Sequence, residues 1–322
     1  MLGAVPDPHL RYVFDPVIVE PFGKDLNRPE CVHCIAQGDV FVSDWRGGVT
    51  RIRPDGTQQF IKGDRPIKTN GFAILPDRSF LLAHLDDQEG GVWRLTPAGE
   101  LTPFCEDLPP TNFVHVHREK TFITVSTRLI PRSLARRPGH ADGFIVCVDH
   151  RGARVVADSL GFTNECKVDP SGTWLYVNET FAKRLSRFRI ASDLGTRETV
   201  ATFGPGVFPD GLDFDAEGGI WITSIFSNRL IRVMPDGSQT VVLEDNEPQF
   251  LARIDAAFER GDLAAAGNPE VPAKLIRNLS SSAFGGPDLR TLYLGCLQDS
   301  RIYRMPSPVA GARPPHWDVR FS

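Results

Sequence analysis

Six short, oxygen-bearing residues recur along this chain, each ahead of an apolar run: Glu30, Asn70, Asn112, Asn164, Asp210 and Ser281. Carboxylate, amide and hydroxyl oxygens suit a hard cation such as Ca²⁺ or Mg²⁺. Two carboxylates, Glu30 and Asp210, would neutralise a divalent ion, and the amides would complete its shell without excess charge. Asn, Asp and Ser also favour strand starts because they cap turns, so any one of them alone has a structural reading. Six of six is the signal. Two other metal readings fail. Cys31-Val32-His33-Cys34 has no second CxxC or matching His pair, and strand alternation puts Cys31 and Cys34 on opposite faces. The run from Asp213 to Gly218 superficially suggests an EF-hand, but its twelfth position is Ser224 and not Glu; Asp215 to Gly219 reads as a hairpin turn.

The elements that must position these residues form a repeat. A polar residue is followed by three or four mixed residues, an Asp/Gly/Pro turn, an apolar strand, and a third strand ending in a Pro-Asp-Gly type turn. The copy at Asp210 reads DGLDFD, the turn AEGG, IWITSI and LIRVMPDG; the copy at Asn164 reads NECKV, DPSG, WLYVNET and LSRFRI. Runs of Val, Ile, Leu and Phe between dispersed Gly and Pro, with amphipathic helical patterns nearly absent, argue for an all-β fold. The starting points are separated by 40, 42, 52, 46 and 71 residues, and a four-stranded blade occupies roughly 40–50. The expectation is one domain over 1–322: a six-bladed β-propeller of four-stranded antiparallel blades around a central metal channel. Loop insertions near 128–143 and 251–275 explain the two long gaps, and an Ala-rich stretch in the second is expected to form a short helix. In such a ring the innermost strands run along the axis, so their first residues converge on one mouth.

Bulk properties exclude several classes. Apolar residues make up 41% and charged residues 24%, ordinary for a soluble chain with material for a core. A net charge of −4 offers no basic face for nucleic acid or an anionic membrane. No run reaches the roughly 18 apolar residues of a membrane span, and the N-terminal MLGAVPDPHLRYVFDP lacks the features of a secretory signal, so a cytoplasmic location is expected. The six cysteines are too sparse for a disulfide scaffold and read as small buried hydrophobes. There is no GxSxG elbow, Walker loop or HExxH. Ser280-Ser281-Ser282 has no assigned base and reads as a turn rather than a nucleophile. The arginines Arg128, Arg132, Arg136 and Arg137 either meet an anionic substrate or product, or form a solvated loop. The C-terminal ARPPHWDVRFS is expected to close the ring or pack as a tail.

From Glu30 to Met305 the chain resembles the senescence-marker-protein/gluconolactonase (SMP-30/gluconolactonase/LRE-like) family of six-bladed propeller lactonases. The segments FPDGLDFDAEGGIWITS, GFTNECKVDPSGTWLYVNET and SSAFGGPDLRTLYLGCL carry the likeness. The resemblance implies that Glu30, Asn164 and Asp210 bind one catalytic divalent cation, with Ca²⁺ expected and Mg²⁺, Mn²⁺ or Zn²⁺ as alternatives. It implies that Asn112 lies at the metal or substrate, that Asp210 is the candidate general base, and that the reaction is the opening of a lactone. Asn70 and His115 complete the expected substrate contacts. Three positions depart from the family: Pro110 stands where sugar-lactone members carry an Arg, Asn112-Phe113-Val114 replaces Asn-Asp-Gly, and Cys31-Val32-His33-Cys34 replaces Gly-Pro-Val-Trp. The metal set is kept and the sugar-binding set is not, which favours a less polar lactone or ester. Two further readings stand beside this one. The same cation could serve an aryl-ester or phosphotriester hydrolase, with His115 and His117 as proton shuttles or, alternatively, packed between blades. A non-catalytic ligand-binding propeller is the other. The expected partner is a small-molecule lactone or ester, with no nucleic acid or membrane, in a monomer or small homo-oligomer.

Overall fold

Val, Ile, Phe and Thr dominate the apolar runs, and Gly, Pro and Asp turns bound them, so they pair as strands. The computed structural model describes residues 18–322; the N-terminal stretch read above for a secretory signal lies wholly outside them. Twenty-four strands among the described residues form six four-stranded antiparallel sheets. Five sheets use four consecutive strands. The sixth takes Leu279–Gly285, Thr291–Cys296 and Ile302–Pro306 from the end of the chain and Glu20–Phe22 from its beginning, which closes the ring. The C-terminal segment therefore does not supply the closure. It packs beneath the ring instead: Phe321 lies 4.5 Å from the Phe41 ring and 5.8 Å from Phe80, and Arg51 donates to the Ser322 carbonyl at 2.7 Å. The fold is the six-bladed propeller that the repeat predicts.

The core lies between blades. Ala73, Leu81 and Val92 of the second blade pack on Val114, Ile123 and Phe144 of the third; Phe122 and Ile145 of the third pack on Cys166 and Leu175 of the fourth. All six cysteines are buried and free, and Cys31 and Cys34 fall in different clusters, as alternation requires. Asp215 accepts from the Glu217 and Gly219 amides, both at 2.8 Å, and from the Trp221 indole, confirming the hairpin turn.

The inner strands are Val32–Cys34, Thr69–Ile74, Thr111–His117, Thr163–Val168, Phe208–Phe214 and Leu279–Gly285. Five of them slip register near their start, at Asn70, Asn112, Asn164, Asp210 and Ser280. A bulge leaves a residue out of the ladder and re-aims its side chain, a device found beside active sites. Glycines let these strands crowd the axis. A side chain at Gly71 would meet Phe113 at 2.3 Å, and one at Gly211 would meet the Ser280 carbonyl at 2.5 Å. The two insertions stand on one rim: a 3₁₀ turn, Arg132–Ala135, in the first and the helix Pro248–Glu259 in the second. Glu247 caps that helix through the Gln249 and Phe250 amides, and a proline occupies its first turn.

Candidate active site at the channel mouth

A cavity of about 490 Å³ opens where the inner strands begin; Glu30, Asn112, Asn164 and Asp210 line it. All four are buried. The backbone turns sharply on the way in: Arg28, Phe162 and Asn278, each two residues before Glu30, Asn164 and Ser280, have φ of 49°, 67° and 63°. Non-glycine residues held there cost of order 1–3 kcal/mol each and persist only where the surroundings enforce them.

The polar contacts set the shape of the site. Asn164 Nδ2 donates to Asp210 Oδ1 and, at 3.1 Å, to Thr180 Oγ1. Asn178 Nδ2 holds the Asp210 and Gly211 carbonyls, both at 3.0 Å. Arg28 Nη1 donates to Glu30 Oε2 and to Asn70 Oδ1 at 2.7 Å, with its guanidinium 4.1 Å from the centroid of Trp45. Asn70 Nδ2 donates to Glu30 Oε1 at 2.8 Å and to the Asn112 carbonyl at 2.9 Å. Asn70 thus stands behind Glu30 and outside the cavity lining. Ser281 Oγ accepts from the Val32 amide at 3.4 Å and Ser280 Oγ donates to the Glu30 carbonyl at 3.1 Å, so the serine run ties the last blade to the first.

The two carboxylates at the mouth repel one another. Burial, then Glu30, then Glu165 push the Asp210 carboxyl well above the usual range. Glu165, deeper in the channel, is raised by burial to about 7. The Oδ1 atoms of Asn112 and Asn164 are buried with no hydrogen-bond partner. Orphaned amide oxygens beside two buried carboxylates form an oxygen-only donor set, and that chemistry fits a hard divalent ion.

His115 is not part of this mouth. It lies three residues beyond Asn112, roughly 10 Å further along the strand at about 3.3 Å per residue, and lines a second cavity of about 470 Å³ at the other end of the channel. Its Nε2 accepts from the Val168 amide of the next blade at 3.1 Å. His117 lines that same cavity. His115 takes the interblade alternative.

Three functional candidates were half-legible or missed. Arg132 and Arg136 line the mouth, so the first insertion reaches the site instead of lying as a solvated loop. Arg128 pairs with Asp158 on the surface. The mouth is strongly charged: Arg28, Lys68, Arg132 and Arg136 share it with Glu30, Asp87 and Asp210. Arg28 carried no repeat signal; its only trace was its place two residues before Glu30.

The fold and this oxygen-lined mouth define a six-bladed propeller with a candidate site at the starts of its inner strands. Residues 131–246 match the SMP-30/Gluconolactonase/LRE-like region, so the family resemblance holds over that part of the chain. A 160-residue stretch is 30% identical to 6-deoxy-6-sulfogluconolactonase of Pseudomonas putida, spanning 48% of this chain and 45% of that relative's length. Regucalcin of Agrobacterium tumefaciens, a calcium-binding protein, superposes with a TM-score of 0.69 at 19% identity over 94% of this chain and 98% of that one. A gluconolactonase of Xanthomonas campestris does so with a TM-score of 0.64 at 19% identity over 88% of each chain. At these identities the structural likeness establishes the fold. No helix among the described residues is long and apolar enough to cross a membrane.

Proposed function

We propose that this protein is a divalent-cation-dependent hydrolase that opens a lactone at the channel mouth. The observation that carries this reading is the pair of orphaned amide oxygens, on Asn112 and Asn164, beside buried Glu30 and Asp210. The lactonase name borne by the Pseudomonas putida relative supports it.

Glu30, Asn164 and Asp210 would hold the ion, with Ca²⁺ favoured by the all-oxygen donor set. A cation bound there supplies Lewis-acid polarisation of a carbonyl and charge for the developing oxyanion. The chain's own residues do the rest. Asn112 orients the substrate through its free amide oxygen. Asn70 and Arg28 fix the Glu30 carboxylate from both of its oxygens. Asp210, engaged by Asn164 at Oδ1, accepts a proton at Oδ2 from the attacking water. The water oxygen bonds to the carbonyl carbon, the ring carbon–oxygen bond breaks, and the proton passes to the departing ring oxygen. The histidine-assisted phosphotriester reading loses its shuttles, because His115 and His117 line the opposite cavity.

A lactone panel followed by pH-stat tests the proposal. Hydrolysis should disappear on chelation and return with added Ca²⁺. Turnover that chelation leaves untouched would end the metal-dependent reading.

A further inference from the structure

Four basic side chains face the mouth cavity, and two of them have counter-charges: Arg28 pairs with Glu30, and Lys68 with Asp86 at 2.6 Å. Arg132 and Arg136 form no ion pair among the described residues. Arg136 donates to the Gly267 carbonyl at 2.8 Å and to Asn268 Oδ1 at 2.9 Å, both neutral acceptors on the second insertion. The Arg132 guanidinium lies 5.0 Å from the centroid of Phe162, and its Nε is buried without a partner. Burial, then Arg136, then Arg28 lower its proton affinity to about 10, against the opposing attraction of Glu30 and Asp210. Holding like charges together in a desolvated cavity is costly unless an opposite charge joins them. Guanidinium groups match carboxylate, sulfonate and phosphate oxygens with paired donors.

We propose that the substrate is a lactone bearing a permanent anionic group, and that Arg132 and Arg136 bind that group while the ring lies over Glu30 and Asp210. This rests on the lactonase reading and adds the class of substrate. Both arginines come from the loop that follows the third blade's second strand, Lys120–Val125. Carboxylate, sulfonate and phosphate share the chemistry that the two arginines recognise, and their spacing around the guanidinium groups decides among them.

The test has a kinetic arm and a binding arm. In the first, kcat/KM is measured for D-glucono-1,5-lactone, for its 6-phosphate and for D-glucaro-1,4-lactone, in the wild type, Arg132→Met and Arg136→Gln. At least one anionic lactone should exceed the neutral one by tenfold or more, and each variant should lose at least ten times more on the anionic than on the neutral substrate. Equal losses on both substrates, or a wild-type preference for the neutral lactone, would overturn the proposal. In the second arm, calorimetric titration with 6-phosphogluconate and glucarate, which have no ring to open, reads the anion site without turnover. Binding by the wild type that Arg132→Lys partly retains and Arg132→Met loses supports the site; no binding by the wild type refutes it. If no lactone is opened but the acids bind through Arg132, the lactonase reading fails and the anion site stands.

Discussion

The two ends of the channel are built from the same six strands and differ in almost every property. Where the strands begin, register slips turn Asn112, Asn164 and Asp210 into a polar cavity with orphaned amide oxygens. Where they end, the pairing is regular and the lining is largely apolar, with Phe72, Val114 and Phe284 around His33, His115 and His316. Burial depresses all three imidazoles, His316 to about 3, so these histidines are kept neutral. Between them Lys167 Nζ sits 3.8 Å from both Glu165 and Asp213, balancing the buried charge. The propeller thus gathers carboxylates and orphaned amide oxygens at one mouth and buried imidazoles at the other. The cavities are similar in size, so chemistry and not space distinguishes them.

The comparison breaks most visibly if a carboxylate at the first mouth proves dispensable. Glu30→Gln should abolish Ca²⁺ binding in calorimetry and lower lactone turnover about a thousandfold, the scale of several kcal/mol of Lewis-acid stabilisation. His117→Gln at the opposite mouth should change turnover less than threefold; comparable losses would erase the distinction. Next in size is a stability effect confined to the second end. Phe321→Ala removes a ring packed on Phe41 and Phe80 and should cost about 3 kcal/mol in denaturant melts. A change under about 1 kcal/mol would mean the tail is not part of that end's core.

A positioning effect comes third. Asn70→Ala leaves every proposed ligand in place but frees Glu30 Oε1, and Ca²⁺ affinity should fall about 10–100-fold; Asn70→Asp should restore little, having no amide to donate. Unchanged affinity would remove Asn70 from the account. The smallest effect is acid sensitivity. The unfolded chain protonates His316 below about 6.5, whereas the folded one resists protonation until about 3. Between these values the unfolded state binds more protons, so stability is fully present above the upper limit and falls as pH drops through the window, by up to about 1.4 kcal/mol per pH unit. Melting temperatures of His316→Asn should therefore decline less from pH 6.5 to 4 than those of the wild type. Parallel curves would contradict the assignment.

Much of this was legible in the sequence, and the gaps have physical causes. The blade count followed from turn spacing, and Glu30, Asn112, Asn164 and Asp210 converge because each stands at the start of an inner strand. Period-two alternation tells which face His115 occupies but not its depth along the channel, so a residue three positions from Asn112 lines the opposite cavity instead. Asn70 and Ser281 share the repeat position yet turn to hold neighbouring strands, a choice made by bonds to Glu30 and Val32 that lie far away in sequence. Arg132 was visible only as one of four arginines in an insertion. Its fate was decided by the second insertion, whose Gly267 and Asn268 anchor Arg136 beside it.

The central claim places the chemistry at the polar mouth, and paired variants on the two ends of one strand set test it most directly. Lactone turnover is measured for Asp210→Asn and His115→Asn, each first shown to melt as a folded protein. The account predicts a loss of about a thousandfold for Asp210→Asn and retention within about threefold for His115→Asn. Turnover that survives in Asp210→Asn, or is lost in His115→Asn, would contradict it.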